Sequence, residues 1–196
     1  MSSVTPRIRP VKFAHVLYRT RRFDQMLRWY EAVFGAKVQC QNPALAFLTY
    51  DDEHHRFAFA NLDVLKPDAA ETERSGVIGV DHVAYTYASV HDLLENYAQL
   101  KAQGITPYWC IHHGVTVSTY YADPDGNQME FQVDSFDSNE ETNAFIAGPR
   151  FAGNPIGVEF DPDDWLAKLR AGASPSEFLL RKADEPMAPI RGSFAN

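Results

Sequence analysis

Three residues of this chain have the types and placement that a metal ion could use: His15, His82 and Glu130. Two imidazoles and a carboxylate on one face hold a divalent metal and leave three positions open. That arrangement suits Fe(II) oxygen chemistry, because substrate and O2 can bind the same ion side by side. Taken singly, a strand histidine is ordinarily a hydrogen-bonded core or rim residue, and a lone mid-strand glutamate a rim carboxylate. The reading changes because the two histidines recur at matching places of a repeat, and Glu130 closes the second copy.

Glu130 is positioned by the stretch Tyr120–Phe131. Its centre, Asp123-Pro124-Asp125-Gly126, is strong turn chemistry: proline presets φ at the second position, and glycine supplies the positive φ that follows. Beyond the turn the residues alternate. Gln128, Glu130 and Gln132 share one face; Met129, Phe131 and Val133 share the other. The apolar face must pack on an apolar layer, which leaves Glu130 mid-strand on the opposite, concave face. Around His82 the same-face neighbours Val80, Ala84 and Thr86 are small and leave room for a ligand.

The elements that carry these residues come in two similar sets. Val11–Tyr18 reads as a strand; Phe23, Met26, Leu27, Tyr30, Val33 and Phe34 recur at helical spacing, and Gly35 stops the helix. Strands are expected at Lys37–Gln41, Ala44–Tyr50 and Arg56–Leu62. The pattern then repeats, with a strand at Gly79–Tyr85 and an amphipathic helix through Val90, Leu93, Leu94, Tyr97, Leu100 and Lys101, stopped by Gly104. Strands at Thr106–Cys110, Val115–Tyr121 and Gln128–Val133 complete it. The register matches at the strand histidine and along the helix face: His82 minus His15, Leu94 minus Leu27 and Tyr97 minus Tyr30 are each 67. The expected fold class is α+β, two paired βαβββ modules at 11–65 and 77–134 forming one metal-binding domain over 1–134. The polar stretch Lys66–Ser75 links them. A C-terminal tail, 135–196, carries short helices. Asp137–Asn143 is acidic and polar. One helix is N-capped by Asp161 with Pro162 first and Gly172 at its stop, and another starts at the capping-box pattern Ser174-Pro175-Ser176-Glu177. The tail packs on the repeat or on a second subunit, and the sequence leaves both open.

Composition narrows the classes. With 196 residues, 45% hydrophobic and 13% aromatic, the chain can bury a proper core. A net charge of −8 argues against a nucleic-acid backbone or an anionic membrane surface as partner. Cys40 and Cys110 lack metal-type spacing and fit a reducing compartment. Met1–Lys12 has no apolar signal-peptide core and no run reaches membrane-spanning length, so a soluble cytoplasmic protein is expected.

These residues resemble the vicinal-oxygen-chelate superfamily, which is built from paired βαβββ modules, and within it the type I extradiol ring-cleavage dioxygenases. The likeness runs from about Phe13 to Asp134. Asp81-His82-Val83-Ala84 looks like the second-histidine strand, and Glu53-His54-His55-Arg56-Phe57-Ala58-Phe59 like the His-His segment. Val117-Ser118-Thr119-Tyr120, with Glu130 ten residues beyond, has the family's tyrosine-to-glutamate spacing. Asn154-Pro155-Ile156-Gly157-Val158-Glu159-Phe160 is similar to the C-terminal segment of this group. The resemblance implies Fe(II), or alternatively Mn(II), held by His15, His82 and Glu130. It makes His55 the acid–base residue, with His54 its neighbour. Tyr120 bonds a substrate oxygen, and His112, preferred over His113, lies near the substrate. The implied partners are a small aromatic diol and O2, in a homo-oligomer, with Trp109, Tyr108 and Phe47 as candidate apolar walls. Family members with four modules are larger, and this chain resembles the compact members with one pair. Aligning the modules puts Ala58 opposite Glu130, so no fourth protein ligand is available and a glyoxalase-type site is disfavoured. A non-oxidative isomerase or lyase at the same open site, and a small-molecule binding protein, remain as alternatives.

Overall fold

In the computed structural model of the chain, residues 13, 15–53, 55–67, 80–182 and 185–192 are described, and the chain divides into two compact units, Met1–Glu73 and Arg74–Asn196. Met1–Lys12, His54 and residues 68–75 of the expected linker lie outside the described residues.

In the first unit β1 (Val16–Thr20), α1 (Phe23–Phe34), β2 (Lys37–Gln41), β3 (Leu45–Thr49), β4 (Phe57–Asn61) and the short α2 (Leu62–Leu65) follow in order. The strands form one sheet in the order β1-β4-β3-β2, with β1 parallel to β4. Helix α1 forms because its apolar residues fall on one stripe, and it ends at Gly35 with φ 60°, a left-handed conformation that glycine adopts without a Cβ clash. The stripe buries Met26 and Tyr30 against the sheet, where the Tyr30 ring meets Phe57 and Phe59 edge-on at 4.6 and 4.8 Å.

The second unit repeats this plan. β5 (His82–Thr86), α3 (Val90–Ala102), β6 (Trp109–His112), β7 (Thr116–Ala122) and β8 (Gln128–Asp134) build a sheet in the order β5-β8-β7-β6, again with the first strand parallel to the last. The ladders agree with the internal repeat: Leu17 pairs Ala58 in one sheet, and Ala84, 67 residues after Leu17, pairs Glu130 in the other. Ala58 therefore occupies the rung that Glu130 occupies in the second sheet. The β7–β8 turn closes as its residues dictate. Asp123 Oδ1 accepts from the N–H groups of Asp125 and Asn127 at 2.9 and 2.8 Å, and Gly126 takes φ 76°.

Several boundaries differ from the sequence expectation. The strand expected at Thr106–Cys110 begins at Trp109, because Pro107 has no N–H to give a ladder. β1 begins at Val16, so His15 stands just ahead of the strand, where the Val16 N–H donates to the Arg56 carbonyl at 3.0 Å. Two tail helices were not foreseen, α4 (Asn139–Ile146) and α5 (Pro149–Gly153). Helix α4 is capped by Ser138, whose side chain accepts from the Glu141 N–H, a capping pattern inside a run too polar to show apolar periodicity.

The tail packs on the second module of its own chain. β9 (Val158–Glu159) extends that sheet by pairing β6, giving β5-β8-β7-β6-β9. Helix α6 (Pro162–Arg170), capped by Asp161 as expected, lies along α3. There the Tyr97 hydroxyl donates to Asp163 at 2.9 Å, and Arg170 donates to Glu95 at 2.8 and 2.7 Å. Helix α7 (Ser176–Leu179) buries Phe178 against Trp165. Among the described residues no helix is long and apolar enough to cross a membrane.

Candidate active site

The parallel β5–β8 ladder sets two candidate ligands side by side. His82 pairs Gln128 and Ala84 pairs Glu130, so His82 and Glu130 project from one face, opposite to the face of Met129 and Phe131 that α3 covers. His82 Nε2 lies 3.1 Å from Glu130 Oε2, and His82 Nδ1 lies 2.7 Å from Asp81 Oδ2. Asp81 was not singled out from the sequence, although it directly precedes the histidine.

This geometry fits a divalent cation. A carboxylate only accepts, so Nδ1 carries the hydrogen that Asp81 receives, and Nε2 of a neutral ring turns its lone pair on Glu130. Two lone pairs at 3.1 Å are tolerable only with a positive charge between them. Without a metal a proton fills that role: the Glu130 contact first, and then Asp81, raise the His82 pKa from 6.5 to about 9 against the opposing effect of burial. Neighbouring ligands of a six-coordinate ion, each at about 2.1 Å, stand roughly 3 Å apart. A carboxylate behind a ligating histidine is the usual outer partner of such a site. Burial pushes the Glu130 carboxyl up, but hydrogen bonds from His82 first and then Ser118 oppose it, and the group is held below its ordinary value.

Tyr120 pairs Glu130 across the β7–β8 ladder and lies on the same face. Burial first, then the Glu130 charge, raise its pKa well above the ordinary phenol value, so it remains a hydrogen-bond donor at neutral pH. Its hydroxyl meets His113 Nε2 at 3.0 Å. His113 Nδ1 contacts the Ile156 carbonyl, which can only accept; the neutral ring therefore offers Nε2 as acceptor to the tyrosine. Burial lowers the His113 pKa, favouring that neutral ring. Trp109, Ile111 and Tyr120 form an apolar wall beside these groups, closed by Ala188 from the tail.

His112, preferred from the sequence, points the other way. It lies on the face opposite to Trp109, Ile111 and His113, with only 4% of its surface exposed and its ring edge-on to Trp165 of α6. Its Nδ1 accepts from the Gly114 N–H at 3.0 Å, and its Nε2 has no hydrogen-bond partner among the described residues. Burial lowers its pKa from 6.5 to about 4, with the Arg181 charge adding to the effect. Strand parity puts His113 and not His112 on the Glu130 face: Trp109 pairs Tyr120 on that face, so every second residue from Trp109 faces that side, and His113 is one of them. Counting outward from Glu130 through the two turns would have found it.

The remaining candidates belong to the first unit. His15 and His55 lie together, ring centroids 4.3 Å apart, and Phe47 packs edge-on against His55 at 4.9 Å. Within either unit by itself the described residues gather no group of three or more histidine, cysteine, aspartate or glutamate side chains suited to an ion.

Comparison with known proteins agrees with this architecture. A family model described as Glyoxalase/Bleomycin resistance protein/Dioxygenase superfamily matches residues 12–131. The chain is 46% identical over 151 residues, 77% of each chain, to biphenyl-2,3-diol 1,2-dioxygenase 2 of Rhodococcus globerulus. It is 38% identical over 180 residues, 91% of this chain and 90% of the relative, to biphenyl-2,3-diol 1,2-dioxygenase 3 of the same organism. Among solved structures, a glyoxalase/bleomycin resistance protein/dioxygenase from Nocardioides superposes with a TM-score of 0.52 at 17% identity, covering 65% of this chain and 86% of that one, a likeness of fold. The family match spans more than half of the sequence, and the chain belongs to the Glyoxalase/Bleomycin resistance protein/Dioxygenase superfamily.

Proposed function

We propose that the protein is an extradiol dioxygenase that opens a catechol-type aromatic diol with O2, at an Fe(II) site held by His15, His82 and Glu130. The observation that carries this reading is the His82–Glu130 pair, 3.1 Å apart and backed by Asp81, on the face that also presents Tyr120 and His113. The two relatives at 46% and 38% identity bear the name biphenyl-2,3-diol 1,2-dioxygenase, which supports a vicinal aromatic diol as the substrate class. Ala58, on the rung equivalent to Glu130, cannot ligate, which supports a three-ligand site with open positions.

His15, His82 and Glu130 would hold Fe(II), or Mn(II) in its place, and the ion would supply open positions for the diol and O2 and a path for electrons between them. The chain's own residues do the rest. His55, packed beside His15, takes a proton from the diol and returns it after ring opening, a double duty suited to an imidazole. Tyr120 stays protonated, gives its one hydrogen to His113, and accepts a hydrogen bond from a diol hydroxyl through its oxygen. His113, fixed by Ile156, accepts from Tyr120 and holds that hydroxyl in place. Trp109 and Ile111 give the ring an apolar wall and keep water from it. The same reading carries a homo-oligomer and a cytoplasmic location, in keeping with the free cysteines Cys40 and Cys110.

The test is to add catechol or 2,3-dihydroxybiphenyl to the Fe(II)-loaded protein under air. Oxygen uptake with a yellow product is expected. His55→Ala should retain the metal and lose turnover, and His82→Ala should lose the metal. No oxygen uptake across a panel of diols would return the site to an isomerase, a lyase or a binding protein.

A further inference from the structure

A run of hydrogen bonds leads away from His82 on the side remote from Glu130. The His82 Nδ1–H donates to Asp81 Oδ2 at 2.7 Å. The amide nitrogen of Gln128 donates to the other Asp81 oxygen, Oδ1, at 3.1 Å and to the Asp81 main-chain carbonyl at 3.0 Å. Gln128 Oε1 accepts in turn from the Tyr108 hydroxyl at 2.8 Å. Both Asp81 groups are acceptors only, so the amide must turn its nitrogen to Asp81 and its oxygen to Tyr108, and the direction of the run is determined. The tail closes over it. Gly192 has φ +76°, and a Cβ there would stand 3.1 Å from the Tyr108 hydroxyl and 3.3 Å from Gln128 Cδ.

We propose that Gln128 is a positioning residue for His82: by holding residue 81 at two points it locks the Asp81 carboxylate, and through it the ring orientation and tautomer that present Nε2 to the ion. The inference rests on the reading that His82 is a metal ligand. An Asp81 side chain without the amide could rotate off Nδ1, and the imidazole would then lose the contact that fixes which nitrogen carries the hydrogen. Gln128 reaches Asp81 because His82 and Gln128 occupy one rung of the parallel ladder. Gly192 of the tail lies so close that a side chain there would collide with the amide oxygen, so the tail has a part in the arrangement without touching a ligand.

The test titrates the metal-free full chain with Co(II) under anaerobic conditions, reading the visible absorption band and the dissociation constant by competition with a chelator. Thermal melting of the metal-free proteins serves as the control for folding. Gln128→Leu should weaken Co(II) binding about tenfold and alter the band, with melting close to the wild type. Gly192→Ala, which replaces no member of the run, should weaken binding in the same direction. Asp81→Ala should cost about tenfold to a hundredfold, and the Asp81→Ala/Gln128→Leu double variant no more than Asp81→Ala alone, because Gln128 acts through Asp81. Wild-type affinity and an unchanged band in Gln128→Leu, or additive losses in the double variant, would overturn the proposal while leaving the metal site standing. Failure of the wild-type protein to bind Co(II) would overturn both.

Discussion

Replacing His112 with asparagine separates a histidine of the core from the one assigned to the chemistry. His112 is buried, with a folded pKa of about 4 against 6.5 for the free group. A histidine with a depressed folded pKa is neutral in the fold. As pH falls, the unfolded chain takes up the proton first, so stability is unaffected well above pH 6.5 and is lost progressively towards pH 4. At 1.36 kcal/mol per pKa unit, going from about pH 7.5 to about pH 5 costs about 2 kcal/mol through this one residue. His112→Asn keeps an acceptor for the Gly114 N–H and has nothing to protonate. Urea unfolding of the metal-free proteins at both pH values should show the wild type losing about 2 kcal/mol more than the variant. Turnover at neutral pH should change less than about threefold, whereas His113→Asn should lose roughly tenfold to a hundredfold in kcat as Tyr120 loses its fixed acceptor. Equal acid sensitivity in His112→Asn and the wild type would refute the burial argument. A large loss of kcat in a well-folded His112→Asn would refute the assignment of His113.

Three further expectations concern the elements that hold the site. Arg181, with 7% of its surface exposed, donates to the main-chain carbonyls of His113 at 3.0 Å, Asn154 at 2.8 Å and Arg150 at 3.0 Å. Arg181→Met should cost about 3 kcal/mol in urea unfolding, because those acceptors lose their donor. Asp161 caps α6 through the N–H groups of Asp163 and Asp164, and Asp161→Ala should cost about 1 kcal/mol in thermal melting without altering turnover. Gly157 has φ +120°, and a Cβ there would stand 2.9 Å from the His112 carbonyl carbon and from His113 Cα. Gly157→Ala should therefore destabilise the fold by about 2 kcal/mol or more and lower kcat by displacing His113.

What could be read without coordinates was local in the chain or repeated along it. The stripe from Phe23 to Phe34 and its stop at Gly35, the Asp123–Gly126 turn and the cap at Asp161 are settled by neighbours within a few residues, and each appears as expected. Aligning Arg56-Phe57-Ala58-Phe59 with Gln128-Met129-Glu130-Phe131 carried further: it put Ala58 opposite Glu130 from sequence alone, and the two parallel ladders agree. Helix α4 was hidden because its stability comes from a cap and a tertiary position, while its run of polar residues shows no apolar period.

The site itself divides the same way. Residue types, the offset shared by His15 and His82, and the alternation after the Asp123–Gly126 turn were enough to nominate His82 and Glu130, whereas strand pairing decided what surrounds them. Gln128 and Asp81 are 47 residues apart and meet because β5 and β8 lie side by side. His113 reaches Tyr120 and His112 does not, because side chains alternate along a strand and the parity of β6 is set by its partner β7. A one-residue difference is invisible to composition and decisive across a sheet: the sequence determines which groups are present, and the hydrogen-bonded ladder determines which of them share a face.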